Sequence, residues 1–382
     1  MQENKKISLC CDTINSHDID NLIDWLKAYP KLTKGNVTVK LEEKWSNWLG
    51  TDYSIFCNSG SSANLLMLWS LVEANRISRD AKVVVPSLSW ATDLAPVVQL
   101  GMNPILCDCN LEDFSVDLNH LQQLFEETKP DVLLLVSVLG FVPDMEKIVE
   151  LCNKYNVILL EDICEGAGSS LNNKKLGTYG LMSSFSTFFA HHISTIEGGF
   201  VSTNDPELYE ILKCIRSHGW SRDCSSEFDS KLKSKWNTSD FDSLYTFYFT
   251  GFNVRSTDLQ AFIGLGQIDK LDTICNTRNT NYNLYNKLLY NYNTRGFISN
   301  FAYPVINKNK KQIIEELTKY NIEMRPIICG SIGTQPFFVK RYGRQKLTNS
   351  SIVDEYGFYV PNHLDLKTED IHLISSIINK FK

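Results

Sequence analysis

The stretch Val157-Ile-Leu-Leu-Glu161-Asp162-Ile-Cys-Glu165-Gly-Ala-Gly168 decides the fold. An apolar run without polar alternation ends in acidic residues and a glycine-punctuated turn. Such a run suits a strand covered on both faces, and the carboxyl ends of strands are where open α/β sheets place ligands. Upstream, Asp131-Val-Leu-Leu-Leu-Val-Ser-Val138 is a run of the same kind. Between the two, Met145, Ile148, Val149 and Cys152 recur at helical spacing within Asp144–Tyr155. Glu146, Lys147, Glu150 and Lys154 take the opposite side, and Asp144 is a plausible N-cap. Working outward, Tyr53–Cys57, Lys82–Pro86, Pro104–Cys107 and Ser183–Thr187 also read as strands. Strands alternating with amphipathic helices predict an α/β core with a mostly parallel sheet flanked by helices.

After about Thr250 the pattern turns mainly helical, with strand-like pieces at Phe301–Ile306, Ile322–Ile328 and Gly357–Val360. This predicts a large domain over 1–250 and a smaller α+β domain over 251–382. The polar segment Ser221–Leu244 reads as a long surface loop. The chain has 382 residues, 43% of them hydrophobic and 21% charged, which is ordinary globular composition. Its formal charge of −6 argues against a nucleic-acid coat. The apolar stretch Val132–Val142 is too short to span a bilayer, and the N-terminal residues carry no signal-peptide run. A soluble cytoplasmic protein is therefore expected. Eleven cysteines are scattered without a CxxC, so they read as reduced thiols, with no metal site and no iron–sulfur cluster expected.

Three segments carry chemistry. In Asn58-Ser-Gly-Ser-Ser-Ala-Asn64 a strand enters a helix that is apolar nearly all round. Gly60 allows a sharp turn, and Ser61 and Ser62 place hydroxyls beside free N–H groups, which suits a phosphate or, more plainly, an N-cap. Asp162 at its strand end could hold a cationic ring nitrogen protonated. It could equally cap a loop, or join Glu161 and Glu165 around a divalent cation. The third segment is Ser186-Thr-Phe-Phe-Ala-His191-His192-Ile-Ser-Thr-Ile-Glu197-Gly-Gly199, where paired histidines lie between aromatic residues and a glycine turn. They read as a metal site lacking a third ligand, or as structural residues.

Taken together, and with Trp90 in Val85-Pro-Ser-Leu-Ser-Trp-Ala-Thr, Gly251-Phe-Asn-Val-Arg-Ser-Thr-Asp-Leu-Gln-Ala and Asn321-Ile-Glu-Met-Arg-Pro-Ile, these segments resemble the nucleotide-sugar aminotransferases. Those are fold-type-I enzymes that use pyridoxal 5′-phosphate (PLP). One departure stands out. The family carries a lysine six residues before the glutamate of the Glu-Gly-Gly turn, and here that position is His191. An imidazole cannot bond covalently to the PLP aldehyde, so PLP or its amine form, PMP, would be held non-covalently. The same replacement marks a smaller group, the sugar 3-dehydratases. Ala190-His-His-Ile, Arg216-Ser-His-Gly-Trp-Ser-Arg222, Arg325-Pro-Ile-Ile-Cys-Gly and Gly357-Phe-Tyr-Val-Pro-Asn-His363 are similar to its members that act on GDP-linked sugars.

The resemblance implies roles. Ser61, Ser62 and Ser186 would bind the cofactor phosphate, joined by Asn253 from a neighbouring subunit. Asp162 would pair with the pyridine nitrogen, Glu165 with the ring hydroxyl, and Trp90 would stack on the ring. Arg255, also from the partner chain, would hold a carboxylate or a charged part of the sugar nucleotide, with Arg222, Arg325 and His218 as further substrate contacts. His191 would be the base. The implied reaction removes the C3 hydroxyl of a nucleotide-linked 4-keto-6-deoxy sugar, with glutamate as amino donor, in a homodimer. The alternative is a 4-aminotransferase that uses histidine in place of lysine.

Overall fold

A computed structural model describes residues 6–290, 292 and 295–382. The strands are β1 (Tyr53–Cys57), β2 (Lys82–Pro86), β3 (Asn103–Cys107), β4 (Val132–Val136), β5 (Ile158–Asp162), β6 (Ser170–Leu171), β7 (Lys174–Lys175), β8 (Met182–Ser186), β9 (Gly199–Thr203), β10 (Tyr303–Ile306) and β11 (Gly357–Val360). Seven of them form one sheet in the order β1-β9-β8-β5-β4-β2-β3. All neighbours are parallel except β9, which runs antiparallel between β1 and β8. β6 and β7 make a small hairpin, and β10 pairs antiparallel with β11.

β4 is buried at every position, as its unbroken apolar run predicts for a strand covered on both faces. The helix Met145–Tyr155 forms where its periodicity places it, with Asp144 accepting from Lys147 N. The helix Gly60–Glu73 packs between the sheet and neighbouring helices, which explains its lack of a polar face. The 31-residue helix Asp258–Leu288 lies against both the helix Asn36–Leu49 and the C-terminal helix Thr368–Asn379.

Three expectations are corrected. Residues 221–244 are not one loop. They contain the helix Ser226–Trp236, started by the Ser225 hydroxyl and ended at Asn237 in a left-handed conformation. Ion pairs Glu227–Lys231 and Asp229–Lys233 support it, and Leu232 is its only buried side chain, so apolar periodicity could not announce it. The segment 322–328 forms isolated bridges, Ile7 with Ile322 and Arg325 with Tyr359, and no strand. β9, a short piece behind the Gly198–Gly199 turn, has no counterpart among the expected strands.

Asp258 joins two parts of the chain. Its carboxylate accepts from Gly35 N (2.7 Å), Thr38 N (2.9 Å), the Thr38 hydroxyl (2.6 Å) and Val37 N (3.2 Å). It thus caps the helix Asn36–Leu49 from outside, where the helix dipole favours a negative charge. A Cβ on Gly35 would lie 2.8 Å from this carboxylate, so the N-cap position is left bare for it. Asp258→Ala orphans these donors together and should lower the unfolding free energy by about 2–4 kcal/mol in denaturant titrations. Gly35→Ser should not restore it in the double variant.

Candidate active site

The carboxyl ends of the parallel strands converge on one cavity of about 390 Å³. β4 supplies Val136, β5 supplies Asp162 and β8 supplies Ser186. The helix after β1 supplies Gly60, Ser61 and Asn64, the loop after β2 supplies Trp90, and the first turn of the helix Ala91–Gln99 that follows supplies Thr92 and Asp93. Phe301, Ile328 and Tyr359 come from the C-terminal part, and His191 with Glu197 from the loop between β8 and β9. Six of the residues expected from the sequence (Ser61, Trp90, Asp162, Glu165, Ser186 and His191) therefore line a single space.

At the start of the helix Gly60–Glu73, the Ser59 hydroxyl accepts from Ser62 N at 3.1 Å. Ser62 is thereby engaged in the cap and does not line the cavity, while Ser61 does, its hydroxyl 3.0 Å from that of Thr92. A Cβ on Gly60 would sit 2.8 Å from the Ser186 Cβ and 2.9 Å from Cys164 Sγ. Only glycine lets this helix start come so close to the end of β8. Serine hydroxyls, first-turn N–H groups and the positive end of a helix dipole together make an anion cradle.

Asp162 is buried. It accepts from Asn64 Nδ2 at 2.6 Å and from Cys164 N at 2.8 Å. Glu161, one position earlier, faces the other side of the sheet and ties down the turn beyond β7 through Gly177 N, Tyr179 N and Gly180 N. Strand alternation separates the two carboxylates, and no group of three or more metal-ligating side chains is present among the described residues. Glu165 Oε2 accepts from Leu139 N at 2.8 Å. Burial, with Asp162 adding to it against that hydrogen bond, pushes the Glu165 carboxyl up to about 7.

His191 is held by aromatic rings: Phe301 at 5.3 Å and Phe188 at 6.4 Å between centroids. Part of the ring faces the cavity, yet its Nδ1 is buried without a hydrogen-bond partner. Burial lowers its pKa to about 4. The Asp162 charge and the Cys164 backbone oppose the shift, and Arg278 adds to it. The imidazole is therefore neutral at pH 7. His192 points away, its Nε2 3.1 Å from Ser299 O in the core.

The remaining expected residues gather elsewhere. Arg222 lies over the Trp220 ring at 3.9 Å, Arg255 lies 5.7 Å from the same ring, and His218 meets it edge-on at 5.0 Å. Asn253 bridges to Ser217 beside them. None of these four lines the cavity within one chain. Arg325 is exposed, and its backbone pairs with Tyr359, which does line it. Sequence reasoning missed Asn64, Thr92, Asp93, Cys164, Glu197, Phe301, Ile328 and Tyr359. For Asn64 a signal existed: a lone amide among the apolar residues of a buried helix.

The sequence model of the DegT/DnrJ/EryC1/StrS aminotransferase family matches residues 13–379. GDP-4-keto-6-deoxy-D-mannose 3-dehydratase of Yersinia pseudotuberculosis is 33% identical over 364 residues, covering 91% of this chain and 92% of that protein. A solved structure of GDP-4-keto-6-deoxymannose-3-dehydratase with a trapped PLP–glutamate geminal diamine superposes with a TM-score of 0.89 at 29% identity, over 99% of this chain and 100% of that one. The E. coli GDP-4-keto-6-deoxy-D-mannose-3-dehydratase with bound hydrated PLP gives 0.89 at 28% identity, over 99% and 100%.

The Glu165 shift has a stability consequence. A carboxyl of pKa about 7 in the folded chain, against ~4.5 unfolded, binds more protons when folded, so stability falls as pH rises from about 4.5 to 7. Without cofactor, Glu165→Gln should unfold at higher denaturant than the parent at pH 8, by up to about 3 kcal/mol. The two should converge below pH 4.5, as chemical denaturation at each pH will read.

Proposed function

The chain belongs to the DegT/DnrJ/EryC1/StrS aminotransferase family, and from that premise we propose that it is a PLP-dependent sugar 3-dehydratase. It removes the C3 hydroxyl of a nucleotide-linked 4-keto-6-deoxy sugar and draws its amino group from glutamate. The GDP-linked mannose derivative is the first candidate substrate, given the relatives named above. The observation that carries this reading is His191. It lines the cavity, and the resemblance read from the sequence implies a lysine of the aminotransferases at this position.

The cavity's residues fit the cofactor. Ser61 and Ser186, with the glycine-lined helix start, would take its phosphate. Asp162 would face its ring nitrogen, Glu165 its ring hydroxyl, and Trp90 one face of the ring. Once bound and carrying an amine, the cofactor supplies an electron sink next to the sugar's C4 carbon. The protein's part is proton handling and orientation. A neutral imidazole has a ring nitrogen free to accept a proton from carbon, and the imidazolium so formed can return one to the departing C3 hydroxyl. A lysine amine there would compete for the cofactor aldehyde, and histidine does not. The aromatic rings of Phe188 and Phe301 pack against this ring.

The cluster of Arg222, Arg255, His218 and Asn253 completes the site of a second copy in this reading. Exposed aromatic residues suit such an interface: Trp236, Phe241, Tyr245 and Phe247 on the segment beside the cluster, and Trp90, Phe188 and Phe189 at the cavity.

His191→Asn should bind cofactor yet release no C3-deoxy ketone when given glutamate and a panel of 4-keto-6-deoxy sugar nucleotides, by mass spectrometry. A product carrying an added nitrogen in the parent enzyme would favour the 4-aminotransferase reading instead. Borohydride treatment of the holoenzyme should leave no pyridoxyl group on any peptide. For the shared site, His191→Asn and Arg255→Ala chains should each be inactive alone. Co-refolded, they should recover about a quarter of parental activity, since half the dimers are mixed and each mixed dimer holds one intact site. No recovery would show that each site is built from one chain.

A further inference from the structure

Two buried carboxyl groups, not one, meet at the head of the cavity. Asn64 Nδ2 lies 2.6 Å from Asp162 Oδ2 and 3.0 Å from Asp93 Oδ1, so one amide group serves both acids. Asp93 Oδ2 accepts from Trp90 N at 2.7 Å, and Asp162 Oδ1 accepts from Cys164 N at 2.8 Å. The Asn64 carbonyl is itself held, accepting from the Ser184 hydroxyl at 2.6 Å. Its amide is therefore oriented with the NH₂ toward the acids. Among the described residues, no lysine or arginine is salt-bridged to either acid. The other ionisable neighbours are Glu165, also acidic, the Cys164 and Cys329 thiols and the neutral His191.

Two like charges at contact distance in a dry site cannot both persist, so one acid keeps its proton. Each acid takes the same two hydrogen bonds, from Asn64 and from one backbone N–H, so these do not choose between them. Position does, because in the cofactor reading Asp162 faces the cationic ring nitrogen. Asp93 is fully buried, and burial together with the Asp162 charge drives its carboxyl well above the usual range.

Resting on the cofactor reading above, we infer that Asp93 is a positioning residue that works in its protonated form. Its neutral carboxyl hands a hydrogen bond to Asp162, leaving Asp162 as the one ionised acid of the pair. Its Oδ2 meanwhile fixes the backbone of Trp90, so the same side chain sets both the group facing the ring nitrogen and the group covering the ring. An ionised Asp93 would place a second negative charge where the cofactor needs one.

The test uses the full-length chain and PLP itself, with affinity read from the cofactor's absorbance and from quenching of indole fluorescence. Asp93→Asn keeps an acceptor for Trp90 N and a neutral donor for Asp162, so it should bind PLP within about fivefold of the parent and with the same absorption maximum. Asp162→Asn should weaken binding by roughly 30-fold or more and shift the maximum. Asp93→Leu should weaken it by about tenfold, with Trp90 quenching reduced. Loss in Asp93→Asn equal to that in Asp162→Asn would overturn the proposal, because charge at position 93 would then matter. Parental binding and quenching in Asp93→Leu would overturn it as well.

Infrared difference spectra of the cofactor-free chain at neutral pH give a second readout that does not depend on the leucine variant folding. The Glu165 carboxyl, pushed up to about 7, gives a protonated band of its own, so the pair is compared in a Glu165→Gln background. That chain should show a protonated-carboxyl C=O band that it loses on adding Asp93→Asn, and identical spectra would refute the neutral state. A parent chain that fails to bind PLP, while the Glu165→Gln chain shows this band, would overturn the functional reading and leave the proton assignment standing.

Discussion

A carboxylate at the dry end of a buried strand is the constraint around which this molecule is arranged. Asp162 ends β5, in the middle of a sheet covered on both faces. Ionised carboxylates at such depth survive only with hydrogen bonds and an opposite charge. The fold supplies the hydrogen bonds from Asn64 and Cys164 N, and no lysine or arginine among the described residues is salt-bridged to this carboxyl. Much else is accessory to that. Asn64 sits on a helix otherwise apolar enough to be buried whole, and Ser184 on the neighbouring strand fixes which way its amide points. Gly60 lets that helix start against β8, so that the anion cradle and the carboxylate open onto the same space.

The sequence exposed those features whose signal is local. The buried strands were readable because residues covered on both faces must be uniformly apolar, and their observed limits fall within a residue or two of the expected ones. The glycine–serine helix start, the acid at a strand end and the histidine pair were readable because each breaks an apolar context. The helix Ser226–Trp236 escaped because caps and ion pairs hold it, with only one buried side chain. Asp93 escaped for another reason. Three residues after Trp90, an acid reads as an ordinary first-turn helix residue, and it accepts from Trp90 N as such residues do. Its second role depends on Asp162, 69 positions away, and only the fold brings the two together. Phe301 and Tyr359 are similarly silent, being two apolar-rich positions among many until the C-terminal part folds over the strand ends.

His191 illustrates how a site selects a chemistry by its surroundings. Depressing the imidazole pKa by burial keeps the ring unprotonated at neutral pH, which is the form that accepts a proton. The nearby Asp162 charge works against that depression. Burial outweighs it, and the ring stays neutral. Phe188 and Phe301, which pack on the ring, contribute to that burial.

The roof of the cavity depends on a second buried charge, and it is handled differently. Arg278 is fully enclosed. Burial lowers it to about 10, and its guanidinium donates to the carbonyls of Phe301 and Asn362. No carboxylate among the described residues is salt-bridged to it. Carbonyl dipoles stabilise a guanidinium less than a carboxylate would, but they have a geometric virtue. Several at once fix the course of a backbone, whereas an ion pair fixes one side chain. The backbone so fixed carries Phe301 to His191. One residue earlier, Asn300 donates to Leu139 O at 2.8 Å. Leu139 in turn, held in a left-handed conformation after β4, gives its N–H to Glu165. The cation thus reaches two cavity residues, Phe301 through the backbone it holds and Glu165 through the Asn300 amide and the Leu139 backbone. It does so without adding a negative charge to a site that already holds Asp162, Asp93 and Glu165. A carboxylate partner for Arg278 would strengthen the local pairing. It would also remove the positive field that helps hold His191 neutral.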